Sequence, residues 1–150
     1  MDDRRYWIGV VAKDHVDRAT AGGFVQVNHG KAGPLERMRA GDGFAYYSPR
    51  ESHPGGAPLQ AFTAIGRVRS GTLYQGDGGP DDRPFRVDVE FLPAAPAPVK
   101  PLIADLTFIR SKTHWGAAFR FGFVRVPAGD FARIAAAMGR SFESDFPVPS

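Results

Sequence analysis

Glycine and proline break this chain into short elements along its whole length. The 150 residues include 18 glycines and 13 prolines. Proline lacks the backbone donor that helices and sheet ladders use, and glycine loses the most conformational freedom when a helix or strand holds it. The pattern therefore predicts a fold of many short strands with few, short helices and no internal repeats.

The clearest predicted strand covers residues 85–91. Apolar and charged side chains alternate there, and the apolar members are Phe85, Val87, Val89 and Phe91. A period of two is typical of a strand with one buried and one solvated face. Further strands are predicted over residues 6–12, 24–28, 44–48, 62–70 and 119–126.

Three helices are predicted between or after these strands. Asp14 is expected to cap a helix over residues 15–21, because its carboxylate can accept from the free amides of the first turn. Pro34 suits the first position of a second short helix. Pro127 precedes a C-terminal helix that carries one apolar face.

Prolines and one apolar segment set further expectations for the secondary structure. Pro49 is expected to end the strand over residues 44–48. Four prolines lie within residues 93–101, so this segment is predicted to pair with no strand. Residues 102–109 are apolar and fit either a helix or a strand.

Length and composition favour one domain over residues 1–150. The chain has no cysteine, which excludes disulfides, thiolate metal sites and a cysteine nucleophile. No apolar run approaches the roughly 20 residues that cross a bilayer, and a cytoplasmic location is the default expectation. The formal charge of +3 suits a polyanionic partner and simple solubility equally well.

Several catalytic motifs are absent. Gly30 and Lys31 do not form a phosphate-binding loop, because Val25 stands at the first glycine position and Ala32 follows the lysine. The four histidines lack the spacing that places two metal ligands on one helix face. The sequence therefore predicts no metal, no cofactor and no catalytic residue.

Three segments together resemble the EVE domain, a member of the PUA-like superfamily that is related to YTH domains. They are residues 24–49, which include Asn-His-Gly-Lys, Gly-Asp and Tyr-Tyr-Ser-Pro, residues 62–68, and residues 115–134, which begin with Trp-Gly. The resemblance implies an α+β fold, a PUA-like small mixed β-barrel of about five to six strands with short peripheral helices. It also implies a nucleic-acid-binding domain that recognises a modified base, such as a modified cytosine, in DNA or RNA.

A base needs aromatic walls around its two flat faces. Trp115 is the leading candidate for a wall, because Gly116 beside it leaves room for a flat ligand. Tyr74 lies just before a glycine-rich turn, at an expected rim position. Strand alternation sends only one of Tyr46 and Tyr47 into a pocket, and Tyr47, beside Ser48, is the expected one. Tyr47 and Ser48 are therefore both expected to line the base-binding pocket. A further aromatic residue, the tryptophan at position 7, is expected in the core.

A base also presents a polar edge, for which fixed amide donors and acceptors are suited. Gln26 and Asn28 share one side of a predicted strand, and His29 follows them. Contacts to phosphates or the rim are expected from Lys13, Lys31 and Arg120.

Two alternatives remain open from the sequence. An ASCH-like hydrolase of a modified nucleoside would need a lysine, Lys13 or Lys31, to converge with Thr63 and Glu90. A module that binds a small molecule or a protein would need no nucleic-acid contact. The expected partner is nucleic acid rather than a membrane or a metal, and a monomer is favoured.

Overall fold

A computed structural model describes residues 4–27, 30–52, 55–76 and 83–147. Within this part of the chain, eight strands form one curled mixed sheet. They are β1 (Tyr6–Val10), β2 (Phe24–Val25), β3 (Gly43–Arg50), β4 (Pro58–Val68), β5 (Tyr74–Gln75), β6 (Phe85–Phe91), β7 (Ala97–Pro98) and β8 (Phe123–Val126). The α-helices are α1 (Lys13–Gly22), α2 (Ala128–Ala137) and α3 (Phe142–Asp145). Short 3-10 helices cover Gly33–Arg37, Lys100–Leu102 and Trp115–Phe119.

The sheet curls into a half-barrel. Its strand order is β2-β6-β4-β3-β1-β8, with β5 beside β6 and β7 beside β4. β1 pairs with β3 in parallel, whereas β8, β4 and β6 join their neighbours antiparallel. Five strands have four or more residues, and β2, β5 and β7 have two each. The predicted α+β class and PUA-like small mixed barrel are confirmed in the form of a half-barrel, and the three two-residue strands bring the sheet to eight strands rather than the expected five to six.

Both faces of the sheet are buried. On one face Phe131 of α2 packs into a cluster that also contains Tyr47 and Phe62. On the other face α1 covers a cluster that contains Trp7 and Tyr46. Alternation along β3 sends the two tyrosines to opposite faces as predicted, but each of them is buried because a helix covers each side. Trp7 lies in the core, which confirms its expected place.

A buried carboxylate ties the start of β1 to the turn before β3. Asp42 is only 2% exposed. Its side chain accepts the backbone N–H groups of Arg5 and Arg39 at 3.0 Å and the indole N–H of Trp7 at 2.9 Å. Since buried acceptors and donors need partners, these bonds satisfy both sides of the contact. The Gly-Asp pair of the motif therefore has a structural role.

A second buried carboxylate holds the segment that the sequence left ambiguous. Asp130, in the first turn of α2, accepts the backbone N–H and the hydroxyl of Thr107 and the backbone N–H of Phe108, at 2.8–3.1 Å. Residues 103–110 are turns rather than a helix or a strand. Leu106 from these turns is fully buried, which explains the apolar character of the segment.

Two local predictions near the first half of the sheet are wrong. The helix α1 begins at Lys13 with Ala12 as N-cap, so Asp14 lies in its first turn and accepts from the N–H of His15 at 2.9 Å. Pro49 lies inside β3 and does not end it. The register between β3 and β4 shifts between Ser48 and Arg50, and such an irregularity accommodates a residue that has no donor.

Two predictions in the second half are also wrong. The strand expected over residues 119–126 begins only at Phe123, because Phe119 ends a 3-10 helix and Phe121 lies in the turn that follows. The proline-rich segment 93–101 does pair with the sheet, through β7 and β4. The non-proline residue Val99 extends the contact by donating its N–H to the Gln60 carbonyl at 2.9 Å.

Among the described residues, no helix is both long and apolar enough to cross a membrane.

Candidate functional site

An open cleft lies at the end of the sheet where β1 and β3 both finish. It has a volume of about 430 Å³. Because β1 and β3 run parallel, their last residues meet at the same edge, and the helix and turns that follow them surround the opening. The lining residues are His15 and the segments 10–12, 26–27, 49–50 and 119–122. This volume lies within the range that small-ligand sites occupy.

A short turn forms one side of the cleft and is held against β1. The backbone N–H of Val10 donates to the carbonyl of Gly122 at 2.8 Å. Gly122 has a φ of 77°, a left-handed conformation that glycine adopts without strain. The chain can therefore reverse direction directly after Phe121 and enter β8 at the next residue.

Two phenylalanines of this turn differ in their surroundings. Phe119 lies against the core, where its ring stacks on Tyr47 with centroids 4.0 Å apart and an interplanar angle of 11°. Phe121 is 79% exposed, and the guanidinium of Arg120 lies 5.8 Å from the centroid of its ring. Phe119 thus forms part of the floor of the cleft, and Phe121 presents a largely exposed aromatic ring at the rim of the cleft.

Gln26, directly after β2, contributes a well-anchored amide to the cleft lining. Its backbone N–H donates to the hydroxyl of Tyr46 at 3.0 Å, and that hydroxyl donates to the Gln26 carbonyl at 3.4 Å. Its side-chain Oε1 accepts from Nε of Arg86 at 3.0 Å. Both the backbone and the side chain of this residue are therefore held in place.

The cleft has a positive electrostatic character. Its described polar side chains are His15, Gln26, Arg50 and Arg120, and no carboxylate is among its described lining residues. Arg50 and Arg120 are exposed, and one guanidinium N–H of Arg50 donates to the Gly56 carbonyl at 3.0 Å. The opening thus favours a ligand that is rich in acceptors or negatively charged.

The family model of the EVE domain matches residues 5–137. This chain belongs to the EVE domain family. UPF0310 protein msl3206 of Mesorhizobium japonicum is 50% identical over 136 residues, which cover 89% of this chain and 91% of the relative. UPF0310 protein YdcG of Bacillus subtilis is 42% identical over 134 residues, with 89% and 92% covered.

Solved structures agree on the fold. The crystal structure of Atu2648 from Agrobacterium tumefaciens superposes with a TM-score of 0.58 at 14% identity and covers 97% of this chain and 99% of that protein. The NMR structure of Rpa0253 from Rhodopseudomonas palustris gives a TM-score of 0.56 at 16% identity, with 90% and 93% covered. The half-barrel of this EVE domain is thus the expected PUA-like fold.

The cleft of this EVE domain brings together two of the residues that the sequence singled out. Gln26 and Arg120 both line it. Asn28 and His29 follow Gln26 in sequence and lie outside the described residues, so their expected roles stay predictions.

The expected pocket residues of β3 lie inside the protein. Tyr47 is 2% exposed and lies behind Phe119, as described above. Ser48 is fully buried, and its hydroxyl is hydrogen-bonded to that of Thr63 at 2.8 Å. Strand alternation indicates which face of the sheet a residue is on. It does not indicate that the cleft lies at the ends of the strands, beyond Tyr47 and Ser48.

The other expected walls lie apart from the cleft lining. Trp115 is half-buried and meets the edge of Phe119 with centroids 6.5 Å apart. Tyr74 is 37% exposed on β5, and its hydroxyl donates to Asp88 at 2.6 Å. Neither Trp115 nor Tyr74 lines this cleft, and their expected roles as walls stay predictions; the exposed aromatic residue of the cleft is Phe121.

The expected rim lysines are not among the residues that line the cleft. Lys13, in α1, pairs with Asp17 at 2.5 Å. Lys31 is exposed before the 3-10 helix Gly33–Arg37. Of the three expected rim cations, only Arg120 lines the cleft.

The groups that a hydrolase would use each contact a different neighbour. Besides the pairing of Lys13 with Asp17, the hydroxyl of Thr63 bonds to that of Ser48, and Glu90 accepts from Arg67 at 2.7 Å. Within the described part of the chain, no three His, Cys, Asp or Glu side chains stand close enough together to hold a metal ion.

Sequence reasoning did not select His15, Arg50 or Phe121, which are among the lining residues of the cleft. His15 and Arg50 reach it only because α1 and the end of β3 meet there, which is a tertiary arrangement without a local signal. Phe121 was assigned to a strand because it alternates with Phe119 and Phe123. The glycine directly after Phe121 is a turn signal that could have separated it from that strand.

Alkaline pH is expected to destabilise the protein through Tyr47. Burial raises the pKa of its hydroxyl from 10.0 to about 12, so the unfolded chain releases this proton at a lower pH than the folded one. The contribution of Tyr47 is complete below pH 10, and about 1–2 kcal/mol is lost as the pH rises towards 12. Urea unfolding at pH 8, 10 and 11 measures it. Tyr47→Phe should show a shallower decline than the wild type, and equal declines would contradict the assignment.

Proposed function

We propose that this EVE domain binds nucleic acid without catalysing a reaction, and that its cleft receives one unpaired or flipped base, in particular a modified base such as a modified cytosine. The observation that carries the proposal is the exposed ring of Phe121 at the rim of a cleft whose charged side chains are cationic. A base combines flat π-faces, an edge rich in acceptors and an attached phosphate. These are the chemical counterparts of the ring, the amide and the arginines.

The magnitudes suit recognition of a marked base. Stacking a base on an aromatic side chain is worth about 1–3 kcal/mol. A methyl mark adds about 0.8 kcal/mol if its carbon becomes buried. Val10, Val11 and Val27 supply apolar surface inside the cleft, against which such a methyl group can be buried.

The phosphates of the bound strand are the expected partners of Arg50 and Arg120. Both arginines are exposed at the cleft, and guanidinium groups bind phosphate oxygens in a bidentate manner. The net charge of +3 acts in the same direction.

Binding without chemistry is favoured over an ASCH-like hydrolase by the contents of the cleft. Its described lining includes no lysine, no serine or threonine hydroxyl and no carboxylate. Hydrolysis would need a nucleophile or a base to activate water, and His15 is the only described lining side chain of a type that commonly acts as a general base.

Titration against short oligonucleotides tests this function. Single strands that differ only in one central base would carry cytosine, 5-methylcytosine, 5-hydroxymethylcytosine, adenine or N6-methyladenine. We expect at least one marked strand to bind about fourfold or more tightly than its unmarked counterpart, as a buried methyl group requires. The preference should persist when the salt concentration rises, although all affinities fall. Equal and strongly salt-sensitive affinities for all strands would overturn the proposal.

A further inference from the structure

We infer that Gln26, oriented by Arg86, makes the cleft select a base that presents a carbonyl oxygen over one that lacks it. This inference rests on the proposed function, because it concerns how the same cleft distinguishes one base from another. It names the specificity-determining residue and the chemical class of base, which the shape of the cleft alone leaves open.

The backbone of Gln26 is held by a buried hydroxyl. Tyr46 is fully buried, and its hydroxyl both accepts from the Gln26 N–H and donates to the Gln26 carbonyl. Burial raises the pKa of this hydroxyl, so it stays protonated and keeps both bonds. The position of Gln26 at the cleft is therefore set before any ligand arrives.

The side-chain amide has only one favourable orientation. Arginine carries N–H donors and no acceptor, so only the amide oxygen of Gln26 can face Nε of Arg86, at the observed 3.0 Å. A half-turn of the amide would place two donors against each other. Arg86 is itself restrained, because its guanidinium lies 3.9 Å from the centroid of the Phe24 ring, a cation–π contact.

The consequence is a cleft whose fixed polar groups donate. With Oε1 bound to Arg86, Nε2 and its two N–H groups are the part of the amide left to meet a ligand. The two arginines of the lining, Arg50 and Arg120, are also donors only. Cytosine, thymine, uracil and guanine carry a carbonyl oxygen whose two lone pairs can accept from two of these donors at once, whereas the acceptors of adenine are ring nitrogens with one lone pair each. The donor set therefore matches a carbonyl-bearing base.

Exchanging the amide for a carboxylate tests this inference. Gln26→Glu keeps the size of the side chain and its contact with Arg86, but it replaces the two N–H donors with an acceptor. Two single strands serve as probes, identical except for one central 5-methylcytosine or N6-methyladenine, so that each base carries one methyl mark. We expect the wild type to prefer 5-methylcytosine by about tenfold, the effect of one well-placed hydrogen bond, and Gln26→Glu to lose most of that preference.

A second glutamine provides the matched control. Gln75→Glu makes the same change of charge on the exposed strand β5, outside the cleft lining, and should keep the tenfold preference. Arg86→Met is a second variant that frees the amide to turn, and it should bring the two affinities within about threefold of each other. Thermal unfolding of each variant verifies that it is folded.

The outcomes separate the inference from the proposed function. A wild type that binds both marked strands equally would overturn the selection for a carbonyl, and it would overturn the proposed function as well only if the unmarked strands bound with the same affinity. A wild type that prefers N6-methyladenine would leave base recognition in place and overturn the selection for a carbonyl. A clear preference for 5-methylcytosine that Gln26→Glu retains as fully as Gln75→Glu would overturn only the role of Gln26.

Discussion

Replacing Asp42 with alanine will lower the free energy of unfolding by about 4 kcal/mol, a large effect for a single polar side chain. The substitution removes the acceptor for three N–H groups, two from the backbone and one from the indole of Trp7. The buried indole N–H left without a partner costs about 1–3 kcal/mol, and the two part-buried backbone N–H groups add about 1 kcal/mol or less each. The contact also connects the start of β1 with the turn before β3, so its loss weakens the only parallel pair among the described strands.

Urea unfolding of the Asp42→Ala variant measures this effect. Asp17→Ala is the matched control, because Asp17 is an exposed aspartate whose side chain contacts Lys13, and exposed pairs contribute at most about 1 kcal/mol. Its midpoint should stay close to that of the wild type. A loss below about 1 kcal/mol for Asp42→Ala would show that the buried carboxylate does not hold the two segments together.

Replacing Phe121 with alanine will weaken the binding of the preferred oligonucleotide by about 5–150-fold, which corresponds to the 1–3 kcal/mol of one stacked base. The free energy of unfolding should change little, because the ring is 79% exposed and covers no core residue that the fold depends on. Fluorescence anisotropy with the labelled strand measures the affinity. Thermal unfolding gives the stability of the same sample.

Tyr74→Ala is the informative counterpart of Phe121→Ala. Tyr74 is the other large apolar side chain that is substantially exposed in the described part of the chain, and it lies on β5, outside the cleft lining. The affinity of Tyr74→Ala should stay within about twofold of the wild type. A large loss for Tyr74→Ala together with none for Phe121→Ala would move the stacking surface from the cleft to β5.

Local pattern was sufficient for much of the fold. The alternation over Phe85–Phe91 reproduces the bounds of β6, because each of its side chains meets either core or solvent with a period of two. The helix after Pro127 and the turn at Gly139, whose φ is 82°, follow from equally local rules. The family resemblance added the closure into a half-barrel, which no single element encodes.

Long-range contacts account for what local pattern missed. Pro49 lies within β3 because a register shift against β4 accommodates it, and the partner strand is not visible in the sequence around it. Asp42 reads as a turn residue between two glycines, yet its contact with Trp7 spans 35 positions. Interactions at that separation depend on the finished fold.

The candidate site was predictable only in part for the same reason. Gln26 and Arg120 were selected by residue type and motif position, and the fold brings both to the cleft. Tyr47 and Ser48 were expected there, but the sheet is covered on both faces and they are buried within it. Phe121 resembled a strand residue and lies in a turn, where the positive φ of Gly122 exposes its ring.

The most direct test is a crystal structure of the protein with a short single strand that carries the preferred marked base. We expect the base to occupy the cleft at the ends of β1 and β3, with one face on the ring of Phe121 and a carbonyl oxygen within hydrogen-bond distance of Nε2 of Gln26. A base bound elsewhere, for instance against Tyr74 or Trp115 while the cleft holds only solvent, would contradict the assignment of this cleft as the binding site.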